Sequence, residues 1–271
     1  MSVREKVLDL IFPPKCPFCK AILEDPRAPL CPGCQPSLPW LEGSRAERKI
    51  DFADGCFSPL AYQGAVPEAV RRYKFLRVRA LGKPFAQLMA QCLRDHLPQG
   101  ADLICWAPLS KKRLRARGFD QARLMAEEVG RLRAIPALPA LRKVRHTSPQ
   151  SELEEESARR ANARGAYGLL PGADLEGKRV VLVDDVVTSG STLSECAAQL
   201  RMAGAAQVFC LTLAQARGDG TPAKKRRKLL EKTVENRPSS GYNIKWLQIA
   251  PPLAADDKNR TRIRWNNYGL F

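Results

Sequence analysis

Long apolar runs and histidines are both scarce in this sequence of 271 residues. No stretch approaches the roughly eighteen apolar residues of a membrane-spanning helix. The N-terminal sequence MSVREKVLDLIFPP carries acids beside a short apolar run, unlike a signal peptide. The two histidines, His96 and His146, are too few and too isolated for a histidine-based triad or metal site. We therefore expect no membrane span and a cytoplasmic location.

Acidic residues are also in short supply relative to basic ones. The chain has 28 Asp and Glu against 45 Lys and Arg, which gives a net charge of +17 at pH 7. Such an excess attracts polyanions, either nucleic acid or phosphorylated substrates. Residues 219–271 account for +7 and residues 1–218 for +10, so the excess is not confined to a basic tail.

Four of the nine cysteines form two closely spaced pairs near the N-terminus. The pairs Cys16-x2-Cys19 and Cys31-x2-Cys34 are separated by 11 residues, in a Cys- and Pro-rich segment without the period of a long helix or strand. Four thiolates complete the tetrahedral shell of Zn²⁺ and leave no open position. The spacing therefore predicts a structural zinc site and not a catalytic one.

Two other chemistries fit paired cysteines less well. Redox dithiols usually open a helix, and an iron–sulfur site is a second alternative. Pro17, Pro32 and Gly33 indicate turns around these cysteines. We expect the remaining five cysteines to be small buried hydrophobic residues without chemistry of their own.

Strand and helix patterns alternate after the cysteine segment. Strands are predicted at 56–62, 101–109, 178–185 and 206–214, and helices at 66–76, 84–97, 117–133 and 191–204. This alternation predicts an α/β fold with a doubly wound, mainly parallel sheet, in which ligands bind at the carboxyl ends of the strands. We expect three parts: a zinc module at 1–45, the α/β domain at 46–218, and a basic tail at 219–271.

Acidic and hydroxyl side chains follow the apolar strand 178–185. In VLVDDVVTSGST (181–192), Asp184 and Asp185 come at the end of the strand, and the chain then turns into a helix. Gly190 permits close backbone approach, and the free N–H groups of the helix start suit a phosphomonoester. The two carboxylates can accept hydrogen bonds from vicinal ribose hydroxyls, so the pattern predicts binding of a 5-phosphoribosyl group. The alternative is an acidic strand end before a Ser- or Thr-capped helix.

This segment resembles the D-D-x-x-T-x-G-x-T motif of type I phosphoribosyltransferases. The resemblance implies that Asp184 and Asp185 hold the ribose hydroxyls of phosphoribosyl pyrophosphate (PRPP). It also implies that the 5-phosphate is held by Thr188, Ser189, Gly190, Ser191 and Thr192. Some purine-salvage members have an acid where this chain has Thr188, so the motif argues against purine salvage.

A basic stretch follows the strand 101–109. WAPLSKKRLRARGFDQ (106–121) predicts a loop with five cations at the same sheet edge: Lys111, Lys112, Arg113, Arg115 and Arg117. A solvated charge run is the alternative to a role in neutralising pyrophosphate.

Together with the cysteine pairs, three further segments make residues 10–217 similar to the ComF family, which is associated with DNA uptake in natural competence. They are YKF (73–75), RGFDQ (117–121) and HTSPQSELEEESARRAN (146–162). The family's RGFNQ signature has Asn where this chain has Asp120. The resemblance implies that Leu109, Ser110 and Lys111 approach the pyrophosphate, that 143–162 forms a flexible hood, and that PRPP binds with Mg²⁺.

Three functions remain open from the sequence. The first is a phosphoribosyltransferase with an unknown acceptor and no identifiable general base. The second is a non-catalytic module that senses PRPP and binds single-stranded DNA or competence proteins. A transferase-like transcriptional regulator is the third, although no helix-turn-helix signature is present. Trp246, Trp265 and Tyr268 lie among Arg and Asn in the tail, a composition compatible with nucleic-acid contacts or with disorder.

Overall fold

The computed structural model describes residues 13–145 and 165–216. Its centre is a six-stranded sheet of order β1-β2-β8-β7-β4, with β3 also pairing with β8. The strands of this sheet are β1 (Glu47–Arg48), β2 (Gly55–Phe57), β3 (Leu60–Ala61), β4 (Leu103–Trp106), β7 (Arg179–Val187) and β8 (Gln207–Gln215). All pairs are parallel except β1 with β2. The predicted α/β fold with a mainly parallel sheet is confirmed.

Five α-helices accompany the sheet within the described residues. They are α1 (Val66–Phe75), α2 (Gly82–His96), α3 (Lys111–Arg117), α4 (Gln121–Arg133) and α5 (Ser191–Met202). A separate antiparallel pair consists of β5 (Leu141–Lys143) and β6 (Tyr167–Leu169). No helix among the described residues is long and apolar enough to cross a lipid bilayer.

Strands β7 and β8 form the centre of the core because their side chains are apolar on both faces. Val180, Val181, Leu182 and Val183 are each 0% exposed, as strands covered on both sides of a parallel sheet require. Asp184 pairs in register with Thr212 of β8. After Arg179 at its start, β7 has no polar side chain until Asp184, where the strand approaches the carboxyl edge of the sheet.

The basic stretch after β4 is a helix and not the predicted loop. The hydroxyl of Ser110 accepts a hydrogen bond from the Arg113 N–H at 3.3 Å and caps the start of α3. Gly118, at φ 80°, ends it in the left-handed conformation. These two caps stabilise a short helix although its residues are mostly cations.

The predicted strand 56–62 is interrupted. Pro59 has no N–H to donate, and the Ser58 N–H bonds to the Ala46 carbonyl at 3.0 Å, away from β8. Most of the hood expected at 143–162 and the whole tail at 219–271 lie outside the described residues. Strand β5 precedes and strand β6 follows the undescribed residues 146–164, which include most of the predicted hood.

Candidate functional site

A cavity of about 820 Å³ lies at the carboxyl edge of the sheet. It brings together side chains that are distant in the sequence, from the end of β7, helices α1 and α3, and the β5–β6 pair. Of the residues predicted for the site, Asp184, Asp185, Thr188, Thr192 and Leu109 line this cavity. The two acids and two of the hydroxyl residues thus share one concave surface.

The two neighbouring carboxyls of β7 have different environments. Burial raises the pKa of Asp184 to about 7, and the adjacent charge of Asp185 adds to this effect. Asp184 accepts a hydrogen bond from the Asp185 N–H at 2.8 Å. Asp185 instead forms an ion pair with Lys74, whose Nζ lies 2.7 Å from its Oδ1. One carboxyl is therefore compensated by a cation, and the other is easily protonated.

The turn between β7 and α5 is built around Gly190. Its φ of 81° is in the left-handed region, and an added Cβ would lie 2.5 Å from Cδ1 of Ile50. The hydroxyls of Ser189 and Ser191 lie 2.6 Å apart. Ser189, Gly190 and Ser191 are not among the residues that line the cavity. Side chains at the turn thus shape the loop, while Thr188 and Thr192 on either side face the cavity.

Of the three residues predicted to approach the pyrophosphate, only one lines the cavity. Leu109 lines it, and its N–H donates to Oδ2 of Asp120 at 3.2 Å. Ser110 is buried and is used as the cap of α3, while Lys111 is exposed at the first position of that helix. Asp120 also accepts from the Arg123 N–H, and burial raises its pKa.

Lys74 was not among the predicted site residues. It belongs to α1, where Tyr73 is buried and donates its hydroxyl hydrogen to the Gln121 carbonyl at 3.0 Å. This bond and the helix aim the next side chain toward β7. The available signal was the YKF segment itself, a cation beside aromatic residues, but sequence does not show which acid it meets.

Lys143 and Tyr167 were also missed. They are cross-strand partners in the β5–β6 pair, and Nζ of Lys143 lies 3.2 Å from the Tyr167 hydroxyl and 4.8 Å from its ring centroid. Both residues line the cavity. Burial, followed by the charge of Arg113, lowers the pKa of Lys143 to about 8. The cavity therefore holds a second amine besides Lys74, and burial alters the protonation equilibrium of this second amine.

The four N-terminal cysteines converge on one point. The Sγ atoms of Cys16, Cys19, Cys31 and Cys34 all lie within 4.8 Å of one another, and those of Cys19 and Cys31 are 3.5 Å apart. Zinc–sulfur bonds of about 2.3 Å in a tetrahedron require sulfur separations of about 3.8 Å. The donor set and its spacing fit a closed, structural zinc site. The five other cysteines are buried.

Two family models match this chain. Residues 115–241 match the phosphoribosyl transferase domain model, and residues 7–48 match the double zinc ribbon domain model. The zinc ribbon match and the four-cysteine cluster together support structural zinc. A solved adenine phosphoribosyltransferase is 15% identical with a TM-score of 0.35, covering 57% of this chain and 78% of that one. A TM-score this low carries no weight, so the fold rests on the strand order and the family model.

Two curated relatives match most of their own length. Competence protein F of Haemophilus influenzae is 29% identical over 224 residues, which cover 74% of this chain and 97% of the relative. DNA utilization protein YhgH of Salmonella typhimurium is 32% identical over 209 residues, which cover 72% of this chain and 88% of the relative. This chain therefore belongs to the ComF family, the phosphoribosyltransferase-like proteins that include competence protein F and YhgH.

Proposed function

We propose that this protein binds PRPP in the cavity at the end of β7 and acts in DNA uptake. The observation that supports this most directly is the shared cavity of Asp184, Asp185, Thr188 and Thr192. Carboxylates beside hydroxyl and N–H donors match a ribose diol next to a phosphate. The names of the relatives, competence protein F and DNA utilization protein, support the role in DNA uptake.

In this proposal each part of PRPP has its own partners. The vicinal ribose hydroxyls bind Asp184 and Asp185, and the 5-phosphate binds the loop 188–192. The pyrophosphate lies toward Leu109, Ser110 and Lys111, with the cations Arg113 and Lys143 on the cavity wall. Mg²⁺ enters with PRPP, because oxygen ligands from phosphates and carboxylates are the ones it prefers.

The zinc module at 1–45 stabilises the N-terminal segment, and the domain at 46–218 carries the ligand site. We place the protein in the cytoplasm, where a reducing environment keeps the zinc-binding thiolates intact. Residues 219–271 form a basic tail whose role stays open.

Catalysis would consist mainly of positioning and charge stabilisation, as pyrophosphate leaves C1 and an acceptor attacks. Thr188 stands where some purine-salvage members have an acid, so this position supplies no carboxylate base toward a purine. The proposal therefore specifies PRPP as the ligand and does not name the acceptor.

Calorimetric titration of the full chain with PRPP and Mg²⁺ tests the central step. We expect saturable one-to-one binding of PRPP, with which pyrophosphate competes. If neither a heat of PRPP binding nor competition by pyrophosphate is observed, the proposed PRPP site is rejected. Pyrophosphate release, measured with and without candidate acceptors, separates the two versions of the function. Turnover supports a transferase, whereas binding without turnover supports a PRPP-sensing module.

A second function, single-stranded DNA binding, is favoured by one observation. Helix α3 and its neighbourhood expose Lys111, Lys112, Arg115 and Arg77 to solvent near the cavity. The binding of a polyanion by several cations weakens steeply as the salt concentration rises. For single strands, the logarithm of the binding constant falls by about 0.7 per phosphate contact for each tenfold rise in salt. The variant Lys112→Gln with Arg115→Gln should lower both the affinity and this slope, while Lys83→Gln, exposed on α2, should not. No binding at low salt would exclude this function.

A further inference from the structure

Helix α1 contacts both the segment that carries the first cysteine pair and the ligand cavity. The guanidinium of Arg72 donates a hydrogen bond to the Pro17 carbonyl at 3.0 Å, and Pro17 directly follows the cysteine at position 16. Two residues later on the same helix, Lys74 pairs with Asp185 at 2.7 Å. A single turn of α1 therefore spans the distance between the zinc module and the acidic end of β7.

A row of packed aromatic rings runs alongside this connection. Phe18, which lies between the first two zinc-binding cysteines, has its ring centroid 6.2 Å from that of Phe85. Phe85 meets Tyr73 edge-on at 5.5 Å, and Tyr73 lies 5.3 Å from Phe119. Tyr73 and Phe85 are almost fully buried. Close-packed side chains of this kind transmit a displacement instead of absorbing it.

A zinc ion bound by the four cysteines would fix the position of Pro17 and Phe18. Few backbone hydrogen bonds hold this segment, among them Cys16 N–H to the Ala21 carbonyl and Lys20 N–H to the Cys16 carbonyl. Small segments without a core of their own need a cross-link to stay ordered, and here four thiolates on one ion supply it. Without the ion, the acceptor of the Arg72 hydrogen bond is no longer fixed.

We infer that Arg72 is a positioning residue that couples the four-cysteine zinc site to the ligand cavity through α1. This inference rests on the proposed function, namely that the cavity binds PRPP. With zinc bound, α1 is anchored at Arg72 and holds Lys74 against Asp185, which fixes that carboxylate for a ribose hydroxyl. The zinc module thus contributes to ligand affinity although none of its described residues, 13–45, lines the cavity.

Coupling of this kind is reciprocal, which makes it measurable at either site. If zinc tightens PRPP binding by a given factor, PRPP tightens zinc binding by the same factor. The full-length protein would be titrated with a zinc chelator in the absence and presence of saturating PRPP and Mg²⁺. We expect zinc affinity to rise about fivefold or more when PRPP is present, the lower end of typical coupling between sites.

Variants at Arg72 distinguish this connection from a general effect of folding. Arg72→Met removes the donor to Pro17 and leaves all four thiolates in place, so it should bind one zinc ion per chain and reduce the coupling factor toward one. Arg72→Lys keeps a donor and should restore most of the coupling. Arg131→Met is the matched control, because Arg131 is an exposed arginine of α4 that pairs with Glu128.

The outcomes separate the inference from the proposed function. A wild-type protein that binds PRPP but whose zinc affinity is indifferent to it overturns the inference alone, as does full coupling in Arg72→Met. A wild-type protein that does not bind PRPP overturns the proposed function and the inference with it. Should the Arg72 variants fold poorly, the absence of coupling in the wild type would still overturn the inference.

Discussion

Lys74 and Asp185 form an ion pair of 2.7 Å with side chains that are only 20% and 12% exposed. At the adjacent Asp184, burial and the charge of Asp185 outweigh the charge of Lys74 and raise the pKa to about 7. The two carboxyls of one motif are therefore different groups at neutral pH. Asp185 is paired with a lysine, and the raised pKa of Asp184 places its change of charge within the physiological range.

PRPP affinity should consequently increase as the pH rises through about 7. The ionised form of Asp184 accepts hydrogen bonds from ribose hydroxyls, whereas the protonated form has lost part of this capacity. Calorimetric titrations between pH 6 and 8.5 measure the effect. Because ligand phosphates also lose protons near pH 6, Asp184→Asn reports their contribution separately. An identical pH profile in that variant would show that Asp184 does not titrate in the binding reaction.

The same residue predicts a stability change of defined sign. A carboxyl whose pKa is raised on folding stabilises the folded state at low pH, and this contribution is lost as the pH rises from about 4 to about 7. Asp184→Asn removes the cost of a buried charge, so its melting temperature should exceed that of the wild type more at pH 8 than at pH 5. Thermal unfolding without PRPP, monitored by circular dichroism, tests this. A difference independent of pH would contradict it.

Replacing both acids should abolish PRPP binding and leave the zinc site intact. Asp184→Asn with Asp185→Asn removes both acceptors for the ribose hydroxyls, and it removes the partner of Lys74. We expect at least a hundredfold loss of affinity, with about one zinc ion per chain by metal analysis. The control is Asp174→Asn, an exposed residue that pairs with Lys178. Undiminished binding by the double variant would mean that the loop 181–192 is misassigned.

The sequence was sufficient for the elements with strong local patterns. Helix α1 was predicted at 66–76 and found at Val66–Phe75, and β8 was predicted at 206–214 and found at Gln207–Gln215. The four cysteines were paired correctly with one site, because ligand spacing is a local property. Each of these predictions depends on residues that are neighbours in the chain.

The missed features depend instead on tertiary contacts. Lys74 meets Asp185 only because Tyr73 and the packing of α1 orient it, and Lys143 meets Tyr167 only across the β5–β6 pair. The basic stretch was predicted as a loop because its charge outweighed its capping residues, Ser110 and Gly118. Cap geometry, a local signal that was present, would have predicted the helix α3.

Lys143 should react faster than ordinary lysines with amine-selective reagents. Burial lowers its pKa to about 8, so about half of it is the nucleophilic free amine at pH 8, against less than about one hundredth of an unperturbed lysine. Competitive acetylation read by mass spectrometry measures this, with Lys83 as an exposed reference. PRPP should protect Lys143 and not Lys83. Equal reactivity of the two lysines would indicate that the Lys143 amine remains charged or inaccessible.

Gly190 and Gly172 offer a matched test of the loop geometry. Both glycines have positive φ angles, 81° and 79°, so alanine at either position incurs the left-handed penalty of about 1 kcal/mol. Only at Gly190 would the new Cβ also meet Cδ1 of Ile50, at 2.5 Å, whereas nothing lies within 4 Å at Gly172. We therefore expect Gly190→Ala to lose more unfolding free energy in urea than Gly172→Ala does. Because Ile50 or the turn must move, Gly190→Ala should also weaken PRPP binding, whereas Gly172→Ala should bind as the wild type does. Equal losses in both variants would show that Ile50 yields without disturbing the loop.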